Sequence, residues 1–206
     1  MLHAPPAPPF PDSLRGTTVL HLAVAASRGA AGARPLLDAV RAAAVPAVDT
    51  WGASDAARLA QIHLDPPSAT PALGDARWLT AGTPGRAGDI LSTAVADDSP
   101  VVMLEIRGVG SDAAARPGAQ TTGAGPFIVH GVAPLRAPEA RPGIAHAFDE
   151  LRRIVEPVDA GYSVGSWVEG ATSVPDALPV PIRRQVAATA DAVDPTGIIH
   201  RYRFLT

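Results

Sequence analysis

VVMLEIRGVG, residues 101–110, begins as an uninterrupted apolar run and then admits Glu105 and Arg107, two residues apart. A short run of β-branched and aliphatic residues between Pro100 and a glycine-containing loop reads as a strand. Side chains alternate along a strand, so Val102, Leu104 and Ile106 point one way while Val101, Met103, Glu105 and Arg107 point the other. The first set belongs against a core. The second makes a mixed apolar and charged surface of the kind found on a solvated sheet face or on the floor of a pocket.

The segments on either side repeat this division. In TTVLHLAVA (17–25), Leu20, Leu22 and Val24 oppose Val19, His21 and Ala23; in PFIVHGVAP (126–134), Phe127 and Val129 oppose Ile128, His130 and Val132. Glu105, Arg107, His21 and His130 are therefore expected on one face. Further strands are expected at VPAVDTWG, ARWLTAG (a short or edge strand) and GYSVGSWVE. Helices are expected from Pro35 to Val45, over SDAARLAQIH behind a Ser or Asp cap, after Thr83 and Pro84 with Ile90, Leu91, Ala94 and Val95, and over PIRRQVAATADAVD. Ile144, Phe148, Leu151 and Val155 fall at i, i+4, i+7 and i+11, the strongest amphipathic helix in the chain. Several strand-to-strand steps lack a crossover helix. The expected fold is therefore α+β, a mainly antiparallel sheet with helices on one face and the open face forming the site.

Composition sets the frame. The chain has 206 residues, 47% of them apolar, enough for a substantial core. Five prolines in the first dozen residues suggest an extended arm over residues 1–16, leaving 17–206 as one domain. There is no cysteine, which excludes disulfides, thiol chemistry and the commonest structural zinc ligands. The formal charge is only -3, and the basic residues are all arginine and scattered, which argues against nucleic acid as a partner. No signal segment or bilayer-length apolar run is present, so no membrane association is expected and the cytoplasm is the expected compartment.

The charged face has two readings. An ion pair between Glu105 and Arg107 on an exposed sheet contributes under about 1 kcal/mol and does nothing further. Alternatively, a carboxylate, a guanidinium and an imidazole line a cleft and supply an acid, a base and an anion clamp in apolar surroundings. On the second reading Glu105, Arg107 and His130 are the catalytic candidates, and His21, Met103, Tyr162, Trp167 and Glu169 the substrate-binding ones. Trp167 and Tyr162 alternate on one strand, so one of them is available to stack on a ligand. No metal site is expected: His63 and Asp65 form an H-x-D pair without a third ligand. Ser27, Ser54 and Ser92 lack a nucleophile-elbow context. His146 and the arginine pairs Arg152/Arg153 and Arg183/Arg184 read as polar outer helix surface.

RPLLDAVRAAAVPAVDTWGASDAARLAQIHLDPP, VVMLEIRGVGS, PFIVHGVAPL and AVDPTGI follow one another in an order and spacing that resembles the C-terminal half of flavin-dependent oxidoreductases related to berberine bridge enzyme, over residues 9–206. The DTWG to IHLDP run and the LEIRGVG strand are its specific parts. The resemblance implies a substrate domain whose antiparallel sheet roofs a flavin while helices cover its far side, with the charged face looking into the active site. The flavin half is missing: no glycine-rich pyrophosphate loop and no Gly-Gly-His attachment sequence occur. Ser166 and Trp167 stand where the family carries a Leu-Asn-aromatic pattern, and the terminal DP-x-N-x-F stretch is reduced to DPTGIIHRYRF. Three functions follow: a flavin-independent enzyme of specialised metabolism acting on a bulky, partly apolar small molecule by acid/base or cyclisation chemistry; one subunit of a split oxidoreductase whose FAD comes from a flavoprotein partner; or a non-catalytic binding or homodimerisation module. In each, this chain alone binds no cofactor.

Overall fold

The computed structural model describes the chain except residues 5, 7–9, 27–28, 63–68, 97–98, 110–117, 121–122, 172–173 and 199–206. It has an α+β fold built on one six-stranded sheet: β1 (Leu2–His3), β2 (Thr18–Val19), β3 (Ala72–Leu79), β4 (Met103–Gly108), β5 (Phe127–Pro134) and β6 (Asp159–Ser163). Their spatial order is β2-β1-β4-β5-β3-β6, and every pair is antiparallel. The helices are α1 (Ala30–Ala43), α2 (Ala56–Leu59), α3 (Ala87–Ser92), α4 (Arg141–Val155) and α5 (Val180–Val193). No helix among the described residues is long and apolar enough to cross a membrane.

Strands β4, β5 and β3 carry the alternation into three dimensions. Leu104, Ile106, Val129, Ala133, Leu73 and Leu79 share one side of the sheet with Ile144, Phe148, Leu151 and Val155 of α4 and Ile90 of α3. Burying each such side chain contributes about 1.5–3 kcal/mol, so this layer supplies most of the apolar stabilisation. Gly131 sits under α4 because a Cβ there would come within 3.3 Å of the Phe148 ring and 3.4 Å of Leu151. The helix therefore rests almost on the backbone of β5.

Several expectations are corrected. ARWLTAG is no edge: β3 runs eight residues between β5 and β6, starting inside a stretch whose prolines and glycine read as turn. The strand expected over 17–25 is only Thr18–Val19. VPAVDTWG forms no strand, because Asp49 folds the chain locally, accepting the Trp51 N–H at 3.0 Å and the Arg41 guanidinium at 2.7 Å. GYSVGSWVE leaves the sheet after Ser163 and closes a 3₁₀ turn over Gly165–Trp167. The arm expected over residues 1–16 contributes a strand, Leu2 pairing with both Val19 and Met103.

The chain also divides into two compact units where one domain is expected. The first comprises Met1–Leu20 and Ala69–Thr206 and holds the whole sheet. The second, His21–Ser68, holds α1 and α2. In α2 the cap is Asp55, whose carboxylate accepts the Arg58 N–H at 2.8 Å.

Candidate functional site

The side of the sheet away from α3 and α4 is set by the register. Met103, Val132 and Gly74 form one cross-strand row; Glu105, His130 and Ala76 the next; Arg107, Ile128 and Trp78 the third. Glu105 and His130 are directly opposed. The rows grade from large residues on β4 to Gly74 and Ala76 on β3, and the chain leaving β6 passes over that small-residue side. It remains tied to β3: the Val164 N–H donates to the Ala76 carbonyl at 2.9 Å, and the Gly74 N–H donates to the Glu169 carbonyl at 3.2 Å. Val164, Trp167 and Trp78 pack with Ala76 and Ile128 in a small apolar cluster.

Trp167 is the centre of the arrangement. The Arg107 guanidinium lies 4.4 Å from its ring centroid, and the His130 ring lies 5.2 Å away, tilted by 37°. Arg107 donates through Nε to Glu105 Oε1 at 2.6 Å. His130 Nε2 lies 3.4 Å from Glu169 Oε2. The five side chains thus run Glu105, Arg107, Trp167, His130, Glu169, each touching the next. His130 is the most enclosed of the charged set, its side chain 12% exposed against 35% for Arg107 and 42% for Glu169. At that depth a cation over an indole face contributes about 0.5–2 kcal/mol and fixes the orientation of both groups. Next to Glu105, the Met1 ammonium donates to the Leu104 carbonyl at 2.6 Å. Burial pushes its pKa below the ordinary amine range, against the opposing pull of the Glu105 charge.

The residues named from sequence divide accordingly. Glu105, Arg107, His130, Trp167, Glu169 and Met103 are together on one side of the first unit. The strand expected to carry His21 ends at Val19, and His21 belongs to the second unit. Tyr162 stays on β6 but borders a different hollow with Pro175, Asp176, Leu178 and Pro179. It does not alternate with Trp167 on one strand, because the strand stops between them. His63, Asp65 and Ser27 lie outside the described residues. Among the described residues no group of three or more His, Asp or Glu is arranged to hold a metal.

Two ion-pair centres were not foreseen. Arg152, expected to be solvent-facing, reaches from α4 to grip both oxygens of buried Asp75 on β3, at 2.8 and 2.7 Å. Arg77 on β3 donates to Asp159 (2.9 Å) and Ser163 (3.0 Å) and also meets Asp176. Burial alone would lower the Arg77 pKa, but the two carboxylates outweigh it and hold the group above the ordinary guanidinium value.

No protein-family model matches the chain, and no curated protein matches it.

Proposed function

We propose that this chain is a small-molecule-binding enzyme domain that uses the Trp167 face for acid/base chemistry on a bulky, partly apolar substrate, without a flavin of its own. The domain corresponds to the substrate half of oxidoreductases resembling berberine bridge enzyme. One observation carries the reading: an enclosed imidazole and a guanidinium converge on one indole ring, the guanidinium held by a carboxylate, in a chain with few aromatic residues. Groups of different acid/base character held together in apolar surroundings are what proton transfer requires.

The roles follow from chemistry and depth. His130, an imidazole with one ring nitrogen that can donate and one that can accept, is the group suited to move a proton. Arg107 carries a permanent positive charge for an anionic substrate group or a developing oxyanion. Glu105 holds Arg107 through its Nε. Trp167 offers an apolar plane, and Met103 an adaptable thioether at the end of the face. The residues present do not fit a flavin stacked on the sheet, because Trp167 lies across the face beside Arg107 and His130.

The test is equilibrium dialysis of the purified protein against a small-molecule extract, with retained compounds identified by mass spectrometry. The reading expects a compound of one class to be enriched by the wild type, lost in Arg107→Met and Trp167→Ala, and retained in Arg141→Ala. Equal enrichment by all four proteins removes the face from the function. A yellow protein obtained only with a second polypeptide would replace this reading with that of a split oxidoreductase.

A further inference from the structure

We infer that Glu169 acts on His130 rather than on the substrate: it is a positioning residue that holds the proton on Nε2 and leaves Nδ1 as the nitrogen that accepts one, and Gly74 is the position that lets it do so. The inference deepens the acid/base reading of the same site and takes its purpose from it.

His130 lies in the middle of β5 with its ring against Trp167, which limits the orientations available to it. Among the described residues three charged side chains face it. Glu105 opposes it from β4 but is engaged by Arg107, and Arg107 is itself laid over the indole. Glu169 brings an oxygen to the imidazole, with Oε2 at 3.4 Å from Nε2. A carboxylate can only accept, so a hydrogen bond there requires the proton on Nε2. The other ring nitrogen is then the base.

What brings the carboxylate to this place is an absence of side chain. A Cβ on residue 74 would lie 1.5 Å from Glu169 Oε2 and 2.7 Å from its Cδ. A glycine inside a strand costs about 0.5–1 kcal/mol and commonly marks the close approach of another group. Here the group is a charged side chain that an alanine would displace. The nearest backbone atom to that Cβ, the Trp167 carbonyl oxygen, is 3.1 Å away and needs to move only slightly. Gly74→Ala is thus a way to break the His130–Glu169 contact while leaving both residues in the chain.

The experiment uses full-length protein with ¹⁵N-labelled histidine at about pH 8.5, above the ordinary imidazole range. It follows the downfield proton attached to the ring nitrogen, which is visible only when a hydrogen bond slows its exchange with water. The wild type is expected to show such a proton on His130 Nε2, assigned by its loss in His130→Gln. It should vanish in Gly74→Ala and Glu169→Ala, and persist, less far downfield, in Glu169→Gln, whose amide oxygen still accepts. No such proton in the wild type, its attachment to Nδ1, or its persistence in Glu169→Ala overturns the inference. Should Gly74→Ala unfold, Glu169→Ala decides alone, since a half-exposed side chain can be removed without loss of the fold. No substrate is needed: an intact resonance beside a failed dialysis test overturns the enzyme reading only.

Discussion

Glu105 on β4 and His130 on β5 are register partners, opposed across the ladder on the sheet face that α3 and α4 leave uncovered. Neighbours so placed have Cβ atoms about 4.5–5.5 Å apart. Glu105→Gln should keep the fold, with a change below about 1 kcal/mol in urea unfolding, because it removes one partly exposed ion pair. It should nonetheless abolish ligand retention or turnover, since Arg107 loses the carboxylate that aims it. Full retention in Glu105→Gln would take this residue out of the mechanism.

The stack of Arg107 on Trp167 can be weighed separately from its bond to Glu105. A double-mutant cycle over Arg107→Met and Trp167→Leu should give a coupling free energy of about 0.5–1 kcal/mol, the range for a partly exposed cation on an indole. The same cycle repeated in a Glu105→Gln background should give a smaller value, because the guanidinium is then free to leave the ring. A coupling of zero in the first cycle would make the 4.4 Å approach energetically idle.

Asp75 and Arg152 hold α4 to the sheet by two parallel hydrogen bonds, and the carboxylate is the buried partner, 3% exposed against 49% for Arg152. Removing the arginine strands a buried charge, whereas replacing both removes the cost of burying it. Arg152→Met should therefore lower unfolding stability by about 2–4 kcal/mol, while Asp75→Leu with Arg152→Met recovers at least half of that. The comparison is made from urea midpoints at constant slope. A double variant less stable than Arg152→Met would show that the pair itself, and not the stranded charge, sustains the packing.

Three glycines distinguish a contact with side chains from a contact with backbone. At Gly125 an added Cβ would lie 2.1 Å from the Leu79 carbonyl oxygen, where β3 meets the entry to β5. At Gly131 it would press on the Phe148 and Leu151 side chains at 3.3 and 3.4 Å. Gly125→Ala should cost about 3 kcal/mol or more, since a strand must move, and Gly131→Ala about 1 kcal/mol, since rotamers can adjust. Gly74→Ala, against a movable carboxylate, should cost least. Thermal unfolding of the three variants ranks them, and a Gly125→Ala protein as stable as Gly131→Ala would contradict the β3–β5 closure.

What the sequence disclosed tracks how strongly burial constrains each segment. The i, i+4, i+7, i+11 stripe of α4 and the alternation of β4 and β5 were legible because one side of each is packed and a shift of register would expose it. From that alternation alone Glu105, Arg107 and His130 could be placed on one face. The strand expected to carry His21 stops short of it because TTVLHLAVA alternates for nine residues but pairs for only two, at a sheet edge where little buried area enforces the pattern. Trp167 reached the correct face for a wrong reason: the chain turns after Ser163 and lays the indole over the sheet instead of extending it. Strand β3 was half hidden because Gly74 and Asp75, poor strand formers, are there for Glu169 and Arg152.

The second unit should be the first part of the chain to open. Among the described residues of His21–Ser68 only Ala33 is buried with an apolar side chain, while Leu22, Leu36, Val45, Val48 and Leu59 are each more than 40% exposed. Helix α1 must then stand largely on local propensity, and a 14-residue helix is marginal on that alone. Pro35, inside the helix, removes one i to i−4 bond, and Gly32 adds backbone entropy to the unfolded state. Helix α4, nearly equal in length, instead buries Ile144, Phe148, Leu151 and Val155 against the sheet and can open only with the core. Hydrogen exchange followed by mass spectrometry should show α1 amides with opening free energies of about 0–2 kcal/mol, and α4 amides close to the global value of about 5–15 kcal/mol. Comparable protection in the two helices would mean that α1 has an apolar partner.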